Sequence, residues 1–341
     1  MFDGPTADAL HGLSLAPSIA VVGLGGAGSE AVDDLVNLGL PGARSLAVNT
    51  DARHLSHVRA EERILLGQRE LGGRGSGGDR AAVLRAAEDS REEILRRLSR
   101  FELVFLLAGL GGGTGSALLP FLVKELRKTE ALPVPVVFLP FRVELEANPG
   151  RRQNVEETIA ELEGLGGLLL VLANEKLRRF ESLPVHRVFG VRNAYLHALI
   201  ANLVDIVDHP SQLNVDLASV KSHLRQSGLS TLIIGEEHIS EPARLVQRAL
   251  SDSLLDFELP YRPSALVHLE GGTNLTLRVL DEVLHTVREH LGEPARLTFG
   301  ARIRPEPCEV VRLTAVLGGL KPRTVHEAVA RLPPSAPLAA R

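Results

Sequence analysis

Ala108-Gly109-Leu110-Gly111-Gly112-Gly113-Thr114-Gly115-Ser116 joins a fully apolar run, Leu103 to Leu107, to a segment with helical character, Ala117 to Lys128. Five glycines, a threonine and a serine stand at this strand-to-helix turn. Glycines let backbone N–H groups crowd an anion without side-chain clash. The helix start behind them adds unpaired N–H donors and a favourable dipole. The stretch therefore reads as a polyphosphate cradle, against the plainer reading of a flexible corner.

A second glycine turn lies near the N-terminus. Ile19-Ala20-Val21-Val22 runs into Gly23-Leu24-Gly25-Gly26-Ala27-Gly28-Ser29, followed by a helix-like segment to about Leu38. Strand, glycine turn and helix begin a nucleotide-binding α/β domain. A dinucleotide fold would also use Asp51, which follows the strand-like Ser45-Leu46-Ala47-Val48. It has no need of the glycines at 109–115. No Gly-Lys-Ser/Thr follows any glycine run, so backbone rather than a loop lysine would hold the phosphates.

The chain has 341 residues, enough for two domains, with 44% apolar residues and a formal charge of −4. That balance gives no overall drive toward nucleic acid or an anionic membrane. The one cysteine, Cys308, excludes an internal disulfide and a cysteine metal cluster, and fits a reducing cytosol. The 12 histidines show no zinc-binding spacing, so no metal site is expected from protein ligands alone. No signal peptide is recognised before residue 18, and no stretch is long and apolar enough to insert in a membrane.

Apolar runs at 19–23, 45–48, 103–108, 134–139 and 168–173 read as strands of a parallel sheet covered on both faces. Helical patterns fall at 27–38, 79–98, 115–128 and 153–163. In the second of these, Val83, Ala87, Ile94 and Leu98 form one apolar face. Residues 188–207 form a long central helix, roughly 30 Å at 1.5 Å per residue. Pro210 stops it. Beyond it, strands at 229–235, 264–270, 296–303 and 309–317 and helices at 241–250 and 274–291 predict a smaller α+β domain. A short helix at 324–332 and a loose Pro- and Ala-rich tail complete the reading.

Taken in order, these loops resemble the tubulin/FtsZ superfamily, and the FtsZ branch of prokaryotic division GTPases most of all. Gly23 to Gly28, Asn49-Thr50-Asp51-Ala52, Gly73 to Ser90, Gly109 to Ser116, Pro140-Phe141 with Glu144, Asn214-Val215-Asp216 and Leu275 to Val316 carry the resemblance over residues 18 to 318. It implies a GTPase domain at 18–187, a central helix and catalytic loop at 188–219, and an α+β domain at 220–332. An extension at 1–17 and a tail at 333–341 flank them. The family's usual long linker and tail peptide, which recruit membrane adaptors, are not recognised.

The resemblance also implies the site. Gly25, Gly26, Ala27, Gly111, Gly112, Gly113, Thr114, Gly115 and Ser116 would approach the phosphates, with Asn49 and Asp51 beside them. Gly75, Ser76 and Gly77 would cover the terminal phosphate. Glu144 and Arg151 would contact ribose and phosphate, and Asn174 ribose or base. Phe189 would stack on guanine, and Asn193, four residues on and on the same helix face, would read its edge. The bound species would be GTP or GDP with Mg2+. Catalysis would be shared: Asn214 and Asp216 of one subunit would position water against the nucleotide of the next, in a head-to-tail filament.

Four departures stand out. Glu30 replaces the family's asparagine, Ala194 an aspartate, Asp79-Arg80 an Asn-Pro pair, and Ser219 the second acid of the catalytic loop. They keep open a slow-hydrolysing or non-catalytic relative that acts with another FtsZ-like protein. An oxidoreductase, the third class, leaves 109–116 and 214–216 unexplained. The expected setting is the cytoplasm of a prokaryote, at its division site.

Overall fold

The computed structural model describes residues 18–40, 42–208, 215–259 and 263–321. Asn214 and the expected segments beyond residue 321 lie outside them. β1 (Ile19–Leu24), β2 (Ala43–Asn49), β3 (Glu62–Leu65), β4 (Leu103–Gly109), β5 (Leu132–Leu139) and β6 (Leu169–Ala173) form a parallel sheet in the order β3-β2-β1-β4-β5-β6. β7 (Leu229–His238), β8 (Ser264–Gly271), β9 (Arg296–Ile303) and β10 (Val310–Gly318) continue it in the order β7-β10-β8-β9. The two halves meet through a short parallel pairing, Leu169 with Leu229 and Leu170 with Ser230. β10 then runs antiparallel to both neighbours, which marks the change to an α+β arrangement.

The apolar runs follow from two-sided burial. Alternate side chains of a strand point to opposite faces. In β4, Val104, Leu106 and Ala108 join one core, while Leu103, Phe105 and Leu107 join the other. The first core is closed by α3 (Arg80–Asp89), α4 (Arg91–Leu98), α5 (Gly113–Leu126) and α7 (Pro149–Leu165). The second is closed by α1 (Gly25–Leu38), α8 (Val185–Asp208) and α9 (Leu217–Arg225). Leu232, Leu266 and Val316 of the second half enter that same core, so α8 is packed between the halves as a central helix should be. A third core lies under α10 (Pro242–Ser251) and α11 (Leu277–Leu291).

Two short elements complete the site's surroundings: α2 (Ala52–His57) and α6 (Arg142–Ala147). The expected helix at 79–98 is two helices, because Ser90 leaves helical geometry at φ −99°, ψ 4°. Its predicted apolar face survives the break: Val83, Ala87, Ile94 and Leu98 are all fully buried.

Candidate functional site

Helix starts in this protein differ in how they are capped. Asp51 caps α2 by accepting from His54 N–H at 2.9 Å, and Asp79 caps α3 by accepting from Ala82 N–H at 3.0 Å. Asn148 and Asp216 cap α7 and α9 in the same way. α1 and α5 have no side-chain cap and no acid in their first turn. The first turn of α5 is buried, that of α1 leaves Gly26 and Ala27 exposed, and both helices begin within the glycine loops. Uncapped helix N-termini present N–H donors without protein partners. Residues from both helix starts line one cavity, the arrangement that suits an anion.

Glycine is required where these ends meet. A side chain on Gly25, which sits at φ +70°, would place its first carbon 2.9 Å from Gly115 nitrogen. One on Gly113 would collide with Ser76 Oγ and lie 2.8 Å from the Gly78 carbonyl carbon. The 75–78 loop thus rests on the start of α5. Thr50 and Thr114 join their hydroxyls at 2.8 Å, tying the second loop to the fourth. Ser116 Oγ accepts from Gly111 N–H at 3.0 Å, which holds the turn closed.

The cavity measures about 690 Å³. Of the expected site residues, Gly26, Ala27, Glu30, Gly112, Gly113, Thr114, Gly115, Glu144, Arg151, Asn174, Phe189 and Asn193 line it. Gly25, Asn49, Asp51, Gly75, Ser76, Gly77, Gly111 and Ser116 are not among the lining residues. Asn49 is buried with its side-chain oxygen accepting from Thr50 N–H at 2.8 Å, so it shapes the loop. Glu144 Oε1 accepts from Phe141 N–H at 3.1 Å, and its other oxygen pairs with Arg151 at 2.7 Å.

The departures from the expected pattern find partners. Glu30 turns to His54, whose Nε2 lies 3.2 Å from Glu30 Oε1. Asn49 Nδ2 lies 3.4 Å from the other ring nitrogen, so donation by Asn49 leaves the proton on Nε2 for Glu30. Arg80 faces away from the cavity and pairs with Glu157 and Glu161 of α7 at 2.6 and 2.8 Å.

At the other end of the cavity sits a group that sequence reading missed. Arg192 is 4% exposed, with its guanidinium 3.8 Å above the Phe138 ring. Burial lowers its pKa to about 10, against the opposing pull of Asp34 and Glu30. It remains charged at neutral pH. It donates to Asn174 Oδ1 at 3.1 Å and to Asn193 Oδ1 at 3.1 and 3.2 Å. Asn193 in turn donates to Asp34 at 2.6 Å. Asp34 was also missed.

Comparisons with known proteins meet this geometry. Residues 18–182 match the tubulin/FtsZ family GTPase domain, and residues 228–321 match the FtsZ family C-terminal domain. The cell division protein FtsZ of Methanothermobacter thermautotrophicus is 33% identical over 312 residues, covering 91% of this chain and 81% of that protein. FtsZ 1 of Methanocaldococcus jannaschii is 35% identical over 309 residues, with coverages of 89% and 84%.

This chain belongs to the tubulin/FtsZ family of GTPases.

Solved structures agree with that membership. An FtsZ point mutant of M. jannaschii has a TM-score of 0.79 at 34% identity, covering 92% of this chain and 93% of its own. CetZ2 from Haloferax volcanii, as a GTPγS-bound protofilament, shares the fold with a TM-score of 0.76 at 20% identity, covering 92% and 97%. Within an FtsZ-family GTPase, Asp216 is placed apart from the cavity. It is exposed and caps α9, accepting from Ser219 N–H at 2.7 Å and Ser219 Oγ at 3.0 Å. Those bonds hold its carboxyl below the usual range. The serine that replaces the family's second acid therefore serves the first.

Among the described residues no cluster of His, Cys, Asp or Glu could hold a metal ion. None of their helices is long and apolar enough to cross a membrane.

Proposed function

We propose that this FtsZ-family GTPase binds GTP in the 690 Å³ cavity and hydrolyses it only when a second subunit supplies Asp216. The N–H groups of Gly112 to Gly115 and the start of α1 would hold the phosphates. The phosphate end of the cavity carries hydroxyls and amides rather than carboxylates, so Mg2+ would ride on phosphate oxygens and water. When bound, the ion neutralises the phosphate charge. Phe189 would stack on the base, and Glu144 and Arg151 would flank the ribose. The subunits would assemble head to tail as filaments, in the cell-division role carried by the names of the FtsZ relatives.

One observation carries this reading. Lys221, on the helix that Asp216 caps, lies 3.9 Å from Glu102, which precedes β4. The glycine loop leaves the other end of β4, which spans Leu103–Gly109. Seven residues at about 3.3 Å each separate those ends by roughly 20 Å. On this reading Asp216 is separated from its own nucleotide by about the length of β4. A head-to-tail neighbour would supply the nucleotide that Asp216 serves, and such a contact repeats rather than closing.

Asp216→Asn tests the division of labour while keeping an N-cap acceptor of comparable quality. GTP affinity of the dilute subunit is expected to stay within about threefold, and hydrolysis in assembled protein to fall by roughly 10² or more, the usual worth of a positioned acid or base. Loss of GTP binding by the subunit alone would contradict the assignment.

Ser219 supports a second reading. With both Asp216 oxygens held by Ser219, less of the carboxylate is left for water. Turnover would then be slow, and an FtsZ-like partner with a full acid pair would raise it. Co-sedimentation of mixed polymers with increased phosphate release is the corresponding test.

A further inference from the structure

The base end of the cavity is wired differently from the expected single asparagine reader. Asn193 spends its side-chain oxygen on Arg192 and one amide hydrogen on Asp34. Asn174 also spends its oxygen on Arg192. The unspent groups belong to the two charged residues. A guanidinium has five N–H donors, and three of the Arg192 donors are engaged. Two N–H groups remain on a side chain that lines the cavity yet is almost wholly buried. Asp34 also lines it, and one of its carboxylate oxygens has no hydrogen-bond partner among the described residues. Phe138 fixes the plane of the guanidinium from below.

Buried idle donors are costly unless a ligand supplies acceptors. The pattern left open is a carboxylate oxygen beside paired N–H donors. Guanine is its complement: the ring N1–H and 2-amino group donate, while O6 and N7 accept, and arginine is the usual bidentate partner of that O6/N7 edge. We propose that Asp34 and Arg192 read the guanine base in this chain, Asp34 accepting from N1–H and the 2-amino group and Arg192 donating to O6 and N7. Asn193 is then a positioning residue that locks the two readers together. The assignment rests on the cavity being the GTP site. Adenine would turn an amino group toward the Arg192 donors and offer Asp34 no 2-amino group. Xanthine would turn a 2-oxo group toward the Asp34 carboxylate. A site built to pair polar groups rejects such analogues strongly, because its own groups are left unpaired.

Equilibrium binding of GTP, ATP and XTP to the full chain and to Asp34→Asn tests this. In the variant, the amide oxygen can still accept from Asn193 while the amide N–H faces the base. Wild-type protein should prefer GTP to XTP and to ATP by about 100-fold or more. Asp34→Asn should lose at least about 30-fold in GTP affinity and gain for XTP, reversing that preference. Arg192→Gln should cut the GTP-over-ATP ratio by at least about tenfold. Circular dichroism and thermal midpoints confirm that the variants are folded. If wild-type protein binds GTP and folded Asp34→Asn keeps the same preference, or loses GTP with no gain for XTP, the base assignment fails alone. If wild-type protein binds none of the three, the cavity reading fails and takes the assignment with it.

Discussion

Pro120 interrupts the hydrogen bonds of the helix that carries the glycine loop. It has no N–H to give the carbonyl of Ser116, four residues back. The buried Thr158 hydroxyl of α7 lies 3.1 Å from that carbonyl oxygen and 2.6 Å from the carbonyl of Asn154 one turn back, so its single proton is shared between the two acceptors. Thr158→Val keeps the shape and removes the donor. The expected loss is about 1–3 kcal/mol, the cost of an unsatisfied buried acceptor, read as a lower urea midpoint. Because Ser116 Oγ also holds Gly111 N–H, GTP affinity should fall with it. An unchanged midpoint would contradict the role given to Thr158. Single residues are also where sequence reading reached least far. Phe189, Asn193 and Asn174, which line the cavity, were named from a match to a family pattern. Asp34 and Arg192 have no local signal: each reads as a solvated charge on a helix. Only the packing of α8 against Phe138 and α1 brings the buried Arg192 and the half-buried Asp34 together at the cavity.

Elements were more legible, and their errors have physical causes. Strands buried on both faces announce themselves as unbroken apolar runs, and all five expected in the first half are present. β3 escaped because its four residues, Glu62 to Leu65, place only Ile64 in the core. α1 and α5 begin at Gly25 and Gly113, two residues earlier than expected. Glycines read as loop, yet these turns are helical and line the cavity. α9 and β8 each bury a histidine. His223 donates to or accepts from Thr298 at 2.8 Å and leaves Nε2 without a partner, while His268 leaves Nδ1 without one. Burial lowers both to about 4, with Arg296 adding to the first and Arg302 to the second, where Glu270 opposes it. Between pH 6.5 and 4 the unfolded chain binds protons that the folded chain refuses, so stability is full above 6.5 and lost as pH falls toward 4. At pH 5 each histidine should cost about 2 kcal/mol relative to pH 7. Urea denaturation at the two pH values checks this. His223→Gln should remove about half of the difference, and an undiminished difference would show that the titrating groups lie elsewhere.

At the scale of the whole molecule, one sheet carries two kinds of construction, joined by a two-residue pairing and a shared core around α8. Arg302 of β9 pairs with Asp205 of that helix, a further tie between the halves. This design puts the glycine loop at one end of β4 and the helix that Asp216 caps near the other. The change from parallel to mixed sheet was legible in the spacing of strands and helices. The continuity of the sheet was not, since strand partners are set by tertiary packing. The distance between cradle and acid was also invisible in the chain order, and it carries the central claim that catalysis needs a neighbour. The measurement that tests it most directly is phosphate release per subunit across a dilution series, with GTP saturating and polymer followed by light scattering. The account predicts negligible turnover per subunit below a threshold concentration, and turnover rising with polymer above it. Turnover per subunit that stays constant on dilution, through the range where scattering vanishes, would contradict it.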